Sequence, residues 1–368
     1  MAKVDRIVEL LERRIVQGDY ALRPVPAETT LADETGVSRM TARKAVIRLV
    51  ERGLLMRAPN GRLTVNTAPP GNGQSHAPGT AGRRLTLTPM TRFAFAAPAH
   101  GSAEIDRWRV AADHCVAEAS ANLRIVHFHH WDDPVLTETV NSFDGVFLIP
   151  PAEGIPKAVA ERLRSGRARL VALDCDLTAY GIRSVDLVPP NSVHRLLDHL
   201  ASLGHRKIHC FNCQPMDSVV QDRIEQWSLW LAAQGATGSL INDPDISYGD
   251  PPRRGYEAMS RRLKEGPFGA TAVMCVTMPA ALGAMRAMYE SGIQVGKDIS
   301  LCAANDEGIA SYLCPSLTAT QMPDPGPYLK TCLNWMMDAD YVGPLLMRPI
   351  EVPLFIGEST GPVPKKMR

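Results

Sequence analysis

The stretch VSRMTARKAVIRLVERGLL, residues 37–55, holds Ala42, Ala45, Val46, Leu49 and Val50 on one side of a helix. Arg39, Arg43, Lys44 and Arg48 fall off that side. Cations at this spacing can neutralise phosphates, each neutralised phosphate releasing condensed counterions. Charge alone equally fits a solvated helix face. The distribution is nevertheless uneven. The whole chain has 40 Lys and Arg against 39 Asp and Glu, yet residues 1–66 have twelve against eight, and Ser38 to Arg62 has seven with Glu51 as the single acid. A polyanionic partner for this short segment is the expectation.

Other groups that could do chemistry are weaker. Cys210 and Cys213 form a lone Cys-x-x-Cys at a strand end, without the four ligands that zinc needs. His127, His129 and His130 sit at another strand end, where surface or cleft positions are the commoner reading. Asp174 and Asp176 flank Cys175 on one side of a strand with no nucleophile or base beside them. His205 belongs to a helix-to-strand turn and is expected to pack or bond locally. No Gly-x-x-x-x-Gly-Lys loop, Gly-x-Ser-x-Gly or His-Glu-x-x-His occurs. The expectation is a protein that is not an enzyme and uses no cofactor or metal.

The elements that must position the basic residues are legible. Val4, Ile7, Val8, Leu11 and Ile15 give an amphipathic helix over 4–17, with Gly18 as its stop. Thr30–Thr35 reads as a second helix capped by Thr29 or Thr30 and ended by Gly36. Ser38 caps the basic helix, which runs to about Arg52. LLMRAPNGRLTVN then reads as two short strands around a Pro-Asn-Gly turn. Helix, helix-turn-helix and hairpin outline a winged helix-turn-helix, whose second paired helix enters the DNA major groove. TAPPGNGQSHAPGTAGRR, residues 67–84, reads as a flexible linker, with Arg83 and Arg84 exposed or facing DNA.

From about Thr91 apolar strands and helices alternate: RFAFAAP, LRIVHFH, DGVFLIP, RLVALDC, KIHCFNC, TAVMCV and DISLCAAN are the strands. Helices are expected near 105–120, 134–142, 156–165 and 191–203. That order indicates an α/β fold with parallel, doubly wound sheets in two lobes and a ligand cleft between them. The expected domains are 1–67 (DNA-binding), 68–90 (linker), 91–361 (effector binding and dimerisation) and 362–368 (tail).

ALRPVPAETTLADETGVSRMTARKAVIRLVERGLLMRAPNGRLTVN resembles the DNA-binding domain of GntR-type bacterial regulators, and the likeness covers nearly all of residues 4–66. It implies that Ser38, Arg39, Thr41 and Arg43, with neighbouring Lys44, touch DNA, with Asn60, Gly61 and Arg62 at the wing tip. Thr29 stands where the family commonly has Arg, and Met40 replaces a more usual polar residue, opening an apolar contact with a thymine methyl. Arg48 and Arg52 either stay solvated or clamp phosphates. LASLGHRKIHCF and ALGAMRAMYESGIQVGKDISLCAANDEGIASYLCPSLTA resemble the LacI/GalR-type regulators, whose body is periplasmic-binding-protein-like. A GntR-type head on such a body occurs in the arabinose-repressor class.

That second resemblance implies an effector held between the lobes, with Arg223 and Asp306 as ligand groups and Trp131, Asp132 and Tyr248 in cleft loops. Met278 stands where the family usually presents an aspartate, and a thioether cannot accept hydrogen bonds as a carboxylate does. The implied protein is a dimeric, cytoplasmic, operator-binding regulator, with repression the expected mode, controlled by a sugar-like small molecule and free of membrane. A regulator with a silent body, or a sugar-binding protein or enzyme, are the alternatives. The amphipathic, charged opening and the lack of about 18 consecutive apolar residues argue against a signal peptide or a membrane span.

Overall fold

The computed structural model describes residues 3–16, 19–20, 24–58, 61–66, 92–151, 153–244, 249–338 and 340–364. Asn60, Tyr248, Arg83, Arg84 and the expected linker 68–90 lie outside them.

The head is three helices and a hairpin: α1 (Lys3–Val16), α2 (Glu28–Thr35), α3 (Arg39–Glu51), then β1 (Leu55–Arg57) antiparallel to β2 (Leu63–Val65). Helix α2 starts earlier than Thr30: Ala27 is its N-cap and gives no side-chain hydrogen bond, so neither Thr29 nor Thr30 caps it. Gly36 ends α2 in the left-handed conformation, φ +63°, which a residue without Cβ adopts at little cost. Ile7, Val8, Leu11, Leu31, Ala42, Ala45, Val46, Leu49, Leu55 and Leu63 close one small core. Ala42 and Ala45 are small enough to bring the backbone of α3 close to its neighbours. Burial of Leu11, Leu31 and Leu49 stabilises this core by about 2 kcal/mol each.

The body is two α/β lobes. In the first lobe β3 (Arg92–Pro98), β4 (Asn122–Phe128), β5 (Gly145–Leu148), β6 (Arg169–Leu173), β7 (Arg183–Val185) and β13 (Leu346–Met347) pair in the order β13-β7-β6-β5-β3-β4, all parallel. Helices α4 (Ala103–Glu118) and α11 (Gly326–Met337) bury one face of the sheet, and α5 (Pro134–Ser142) and α6 (Lys157–Arg164) bury the other.

In the second lobe β8 (Ile208–Asn212), β9 (Leu240–Asn242), β10 (Ala272–Cys275), β11 (Ser300–Ala303), β12 (Thr318–Thr320) and β14 (Leu354–Phe355) pair as β14-β12-β11-β10-β8-β9. Only the β12–β14 edge is antiparallel. Helices α7 (Val193–Ser202) and α8 (Ser218–Gln234) cover one face; α9 (Pro251–Lys264) and α10 (Met278–Glu290) cover the other. A Cβ on Gly283 of α10 would lie 2.3 Å from the Tyr256 amide nitrogen of α9, so only glycine permits that helix contact. The chain passes between lobes after β7, after β12 and after β13, which places the carboxyl ends of both sheets around one cleft.

Candidate nucleic-acid interface and interlobe cleft

Helix α3 begins where Ser38 Oγ accepts the Thr41 amide at 3.2 Å and shares a 2.8 Å hydrogen bond with the Thr41 hydroxyl. Both hydroxyls therefore hold the helix start before they meet any partner. Beyond the cap the charged side divides. Arg48 donates to Asp5 of α1 at 2.7 Å, Arg52 pairs with Glu12 of α1, and Arg57 of β1 pairs with Glu28 of α2. Arg48 and Arg52, each about half exposed, tie α3 to α1 through these ion pairs.

Arg39, Arg43 and Lys44 are exposed and, among the described residues, meet no carboxylate. They surround the amino end of α3, where the helix dipole itself favours anions. Met40 is 60% exposed beside them. Gly61, φ +79°, and Arg62 are exposed on the hairpin, and Thr29 is exposed on α2. The result is a cation-edged helix with two exposed apolar side chains, Met40 and Ile47, and a charge suited to a nucleic-acid groove.

The cleft is built from the carboxyl ends of strands and the helices that follow them. Glu104, Arg107 and Trp108 lie in the first turns of α4; Asp174 follows β6 and Asp186 follows β7. Arg223 lies on α8, and Asn305, Asp306 and Glu307 follow β11, Asn305 and Glu307 with positive φ (61° and 46°). Among the described residues, two side-chain contacts join α4 to the segment after β11. Asn305 Nδ2 donates to Glu104 Oε2 at 2.5 Å, and Arg107 Nη1 meets Asp306 Oδ1 at 2.9 Å. Gln321 supports Asp306 Oδ2 at 3.2 Å. Arg348 spans Asp176 and Asp186 at 3.1 and 2.9 Å.

Arg223 is buried, and its Nη1 donates to the Val276 carbonyl at 2.9 Å while Nε has no partner. Glu104 Oε1 is likewise buried and unpartnered. The Trp108 indole N–H faces the Asp174 carboxyl without reaching full hydrogen-bond geometry. Burial raises the Glu104 carboxyl against the opposing Asn305 hydrogen bond. It raises Asp174 well above the carboxylate range, the Glu104 charge adding to it. Glu307 is pushed up to about 7 by burial and then by Glu104. Asp186 rises through burial despite Arg348.

The expected effector groups separate. Arg223 and Asp306 come together here. Met278 opens α10, but its side chain is fully buried in the second-lobe core with Phe211, Cys275 and Leu301, so it presents no thioether to the cleft. Trp131 is 3% exposed, packs near Phe128 and donates its indole N–H to the Glu153 carbonyl at 2.8 Å; it is a core aromatic and not a stacking face. Asp132 is exposed on the turn before α5.

Glu104, Arg107, Asp186 and Glu307 were not visible as site residues in the sequence. One signal was present: Glu104 shares a helical stripe with Trp108, Ala112 and Cys115, a charge in register with core positions. Cys210 and Cys213 are buried strand-end thiols, and burial raises Cys210 far above its ordinary value. Among the described residues no group of three or more His, Cys, Asp or Glu could hold a metal ion. His130 bonds Glu153 at 2.8 Å, and His205 is buried between Thr271 and the Gly361 carbonyl.

Comparison with known proteins matches the head and the second part of the body. Residues 3–65 fit the family model for bacterial regulatory proteins of the gntR family, and residues 197–337 fit a periplasmic binding protein-like domain. The regulator GalR of Escherichia coli is 29% identical over 177 residues, 48% of this chain and 50% of GalR. The probable repressor ExuR of Bacillus subtilis is 38% identical over 181 residues, 49% of this chain and 53% of ExuR. The chain thus spans about half the length of these curated relatives.

Among solved structures, a LacI family regulator from Bifidobacterium animalis superposes with a TM-score of 0.63 at 20% identity, covering 74% of this chain and 98% of that one. The lac repressor dimer bound to operator and the anti-inducer ONPF superposes with a TM-score of 0.61 at 18% identity, over 78% and 100%. The chain is a two-part protein, a gntR-type helix-turn-helix domain joined to a periplasmic-binding-protein-like domain with the LacI-type fold. Among the described residues no helix is long and apolar enough to cross a membrane.

Proposed function

We propose that the protein is a sequence-specific, operator-binding transcriptional repressor, a homodimer whose DNA affinity is set by a small molecule in the interlobe cleft. The observation that carries the reading is the division of charge on α3: Arg48 and Arg52 are neutralised by α1, while Arg39, Arg43 and Lys44 stay exposed without a carboxylate partner. A two-fold dimer would present two such helices to half-sites of a near-palindrome. Ser38, Thr41, Met40, Thr29 and the wing residues Asn60, Gly61 and Arg62 complete the DNA surface. Arg223 and Asp306 belong to the effector surface. The relatives are regulators, and we read this chain as non-catalytic, acting in the cytoplasm where its DNA lies. Effector would bind one lobe arrangement better than the other and so shift the population.

Fluorescence anisotropy with DNA from upstream of the protein's own gene tests this. Nanomolar, competitor-resistant retention that weakens steeply between low and moderate salt is expected; affinity flat across that range would overturn it. A second reading, a body that senses nothing, is favoured by the withdrawal of Met278 into the core. Reproducible thermal stabilisation by any sugar, sugar acid or polyol rejects that second reading.

A further inference from the structure

We propose that Arg107 is a built-in occupant of the effector site. Its guanidinium fills the place on Asp306 that an effector would use, so the lobes stay closed without a ligand and an effector enters by displacing it. This deepens the regulator reading above and rests on it.

Asp306 has little left to offer. Its Oδ1 accepts Arg107 Nη1 at 2.9 Å and the Gly308 amide at 3.1 Å, and its Oδ2 accepts Gln321 Nε2 at 3.2 Å. A carboxylate has about four acceptor positions, and the chain itself uses three of them here. Arg107 is held at a second point. Its Nη2 donates to the Met322 carbonyl at 3.3 Å, and its stem lies against Gly308, where an added Cβ would stand 3.6 Å from Cδ. One guanidinium from α4 therefore joins the segment after β11 to the segment after β12.

Asn305 is equally committed. Its Nδ2 donates to Glu104 Oε2, its backbone N–H donates to Thr320 Oγ1 at 2.8 Å, and its Oδ1 accepts the Glu307 amide at 3.4 Å. The other groups expected at the site are also taken from within: Arg223 donates to the Val276 carbonyl, and Met278 and Trp131 lie in the cores. A cleft held in this way needs no ligand to stay shut.

Arg107 is nevertheless removable. Its side chain is 28% exposed against 8% for Asp306, and a long arginine stem can swing its charged head into water. Glu104 Oε1 supplies what an effector gains: it is buried without a donor. A molecule with two hydroxyls, one donating there and one taking over Asp306, offsets the lost ion pair.

The test uses the full-length wild type, Arg107→Ala and the double variant Arg107→Ala/Asp306→Asn. The probe is millimolar methylguanidinium, with urea at the same concentration as its neutral counterpart. Removing the Arg107 side chain leaves a guanidinium-shaped gap on Asp306. Methylguanidinium should therefore raise the melting temperature of Arg107→Ala by about 2 °C more than that of wild type. Urea should not, and the double variant should lose the response. Without ligand, the amides of Asn305 and Gly308 should exchange at least tenfold more slowly in wild type than in Arg107→Ala, with methylguanidinium restoring the slow rate. Of glucose, galactose and glucuronate, at least one should bind Arg107→Ala at least tenfold more tightly than wild type. Arg107→Gln, which keeps most of the stem, replaces Arg107→Ala should that variant not melt cooperatively.

No selective rescue by methylguanidinium, or equally fast exchange in wild type and variant, shows that Arg107 does not hold the lobes. Sugar affinities equal in the two proteins, or absent from both, show that it does not stand in an effector's way. Either result overturns the proposal. Operator binding by the same wild-type preparation separates the two readings: retained binding with none of these responses sinks this inference alone, and lost binding sinks the regulator.

Discussion

Arg107 of the first lobe and Asp306 of the second meet at 2.9 Å, 199 residues apart in the chain. Asp306 is nearly buried and Arg107 only partly, so the pair is shielded from solvent on one side. The group expected to hold an effector is therefore already held by the opposite lobe. A double-mutant cycle between Arg107→Ala and Asp306→Asn in urea unfolding should give a coupling of about 1–2 kcal/mol, above the range of exposed pairs. A coupling indistinguishable from zero would show that the contact does not join the lobes.

Arg43→Ala should lower operator affinity at least tenfold and reduce the dependence of log affinity on log salt by about one unit. Arg43 is exposed and has no carboxylate partner among the described residues, so stability should change by less than about 0.5 kcal/mol. Equal loss of DNA binding and of folded protein would assign Arg43 to the fold and not to the interface.

Asp5→Asn should free Arg48 from α1. The pair is about half exposed on both sides, so its loss should cost less than about 1 kcal/mol. The freed guanidinium should raise affinity for non-specific DNA by a few-fold at low salt. Unchanged non-specific binding would mean that Arg48 lies beyond reach of the backbone.

Gly283→Ala and Gly36→Ala should differ sharply. At Gly283 the new Cβ meets backbone atoms of α9 at 2.3 and 2.4 Å, which requires two helices to separate; at least about 3 kcal/mol of destabilisation is expected. At Gly36 nothing lies within 4 Å and only the positive φ is strained, for about 1 kcal/mol. Chemical denaturation of both variants measures the order, and similar losses would contradict the α9–α10 packing.

Glu307 carries the sharpest pH prediction. Its folded-state pKa of about 7 lies above the ordinary 4.5, so the native state binds the proton more tightly than the unfolded chain. The associated stability is complete below about pH 4.5 and is lost as pH rises to about 7. Glu307→Gln should thus be nearly neutral at pH 4.5 and stabilising by roughly 1–3 kcal/mol at pH 8, after allowance for its partial exposure. A gain independent of pH would dismiss the buried-charge explanation.

Much of this architecture was legible locally. Apolar spacing marked α1 and α3, Ser38 announced the start of α3, Gly36 the end of α2, and the alternation after residue 91 announced parallel sheets. These signals work because periodicity, capping and turn chemistry depend on residues only a few positions apart. The start of α2 escaped because Ala27 caps it through backbone geometry without a side-chain signature.

The tertiary structure alone decided which of the exposed cations have an acidic partner. Arg48, Arg52 and Arg57 find their acids 43, 40 and 29 residues away, and helical spacing carries no record of such partners. It also turned Met278 and Trp131 into the cores, since a residue at a strand or helix end can face either sheet or cleft until the flanking helices pack. Glu104 meets Asn305 across 201 residues because the chain returns between the lobes. Local residue order determines the elements; only the crossing of the chain brings their buried charges together.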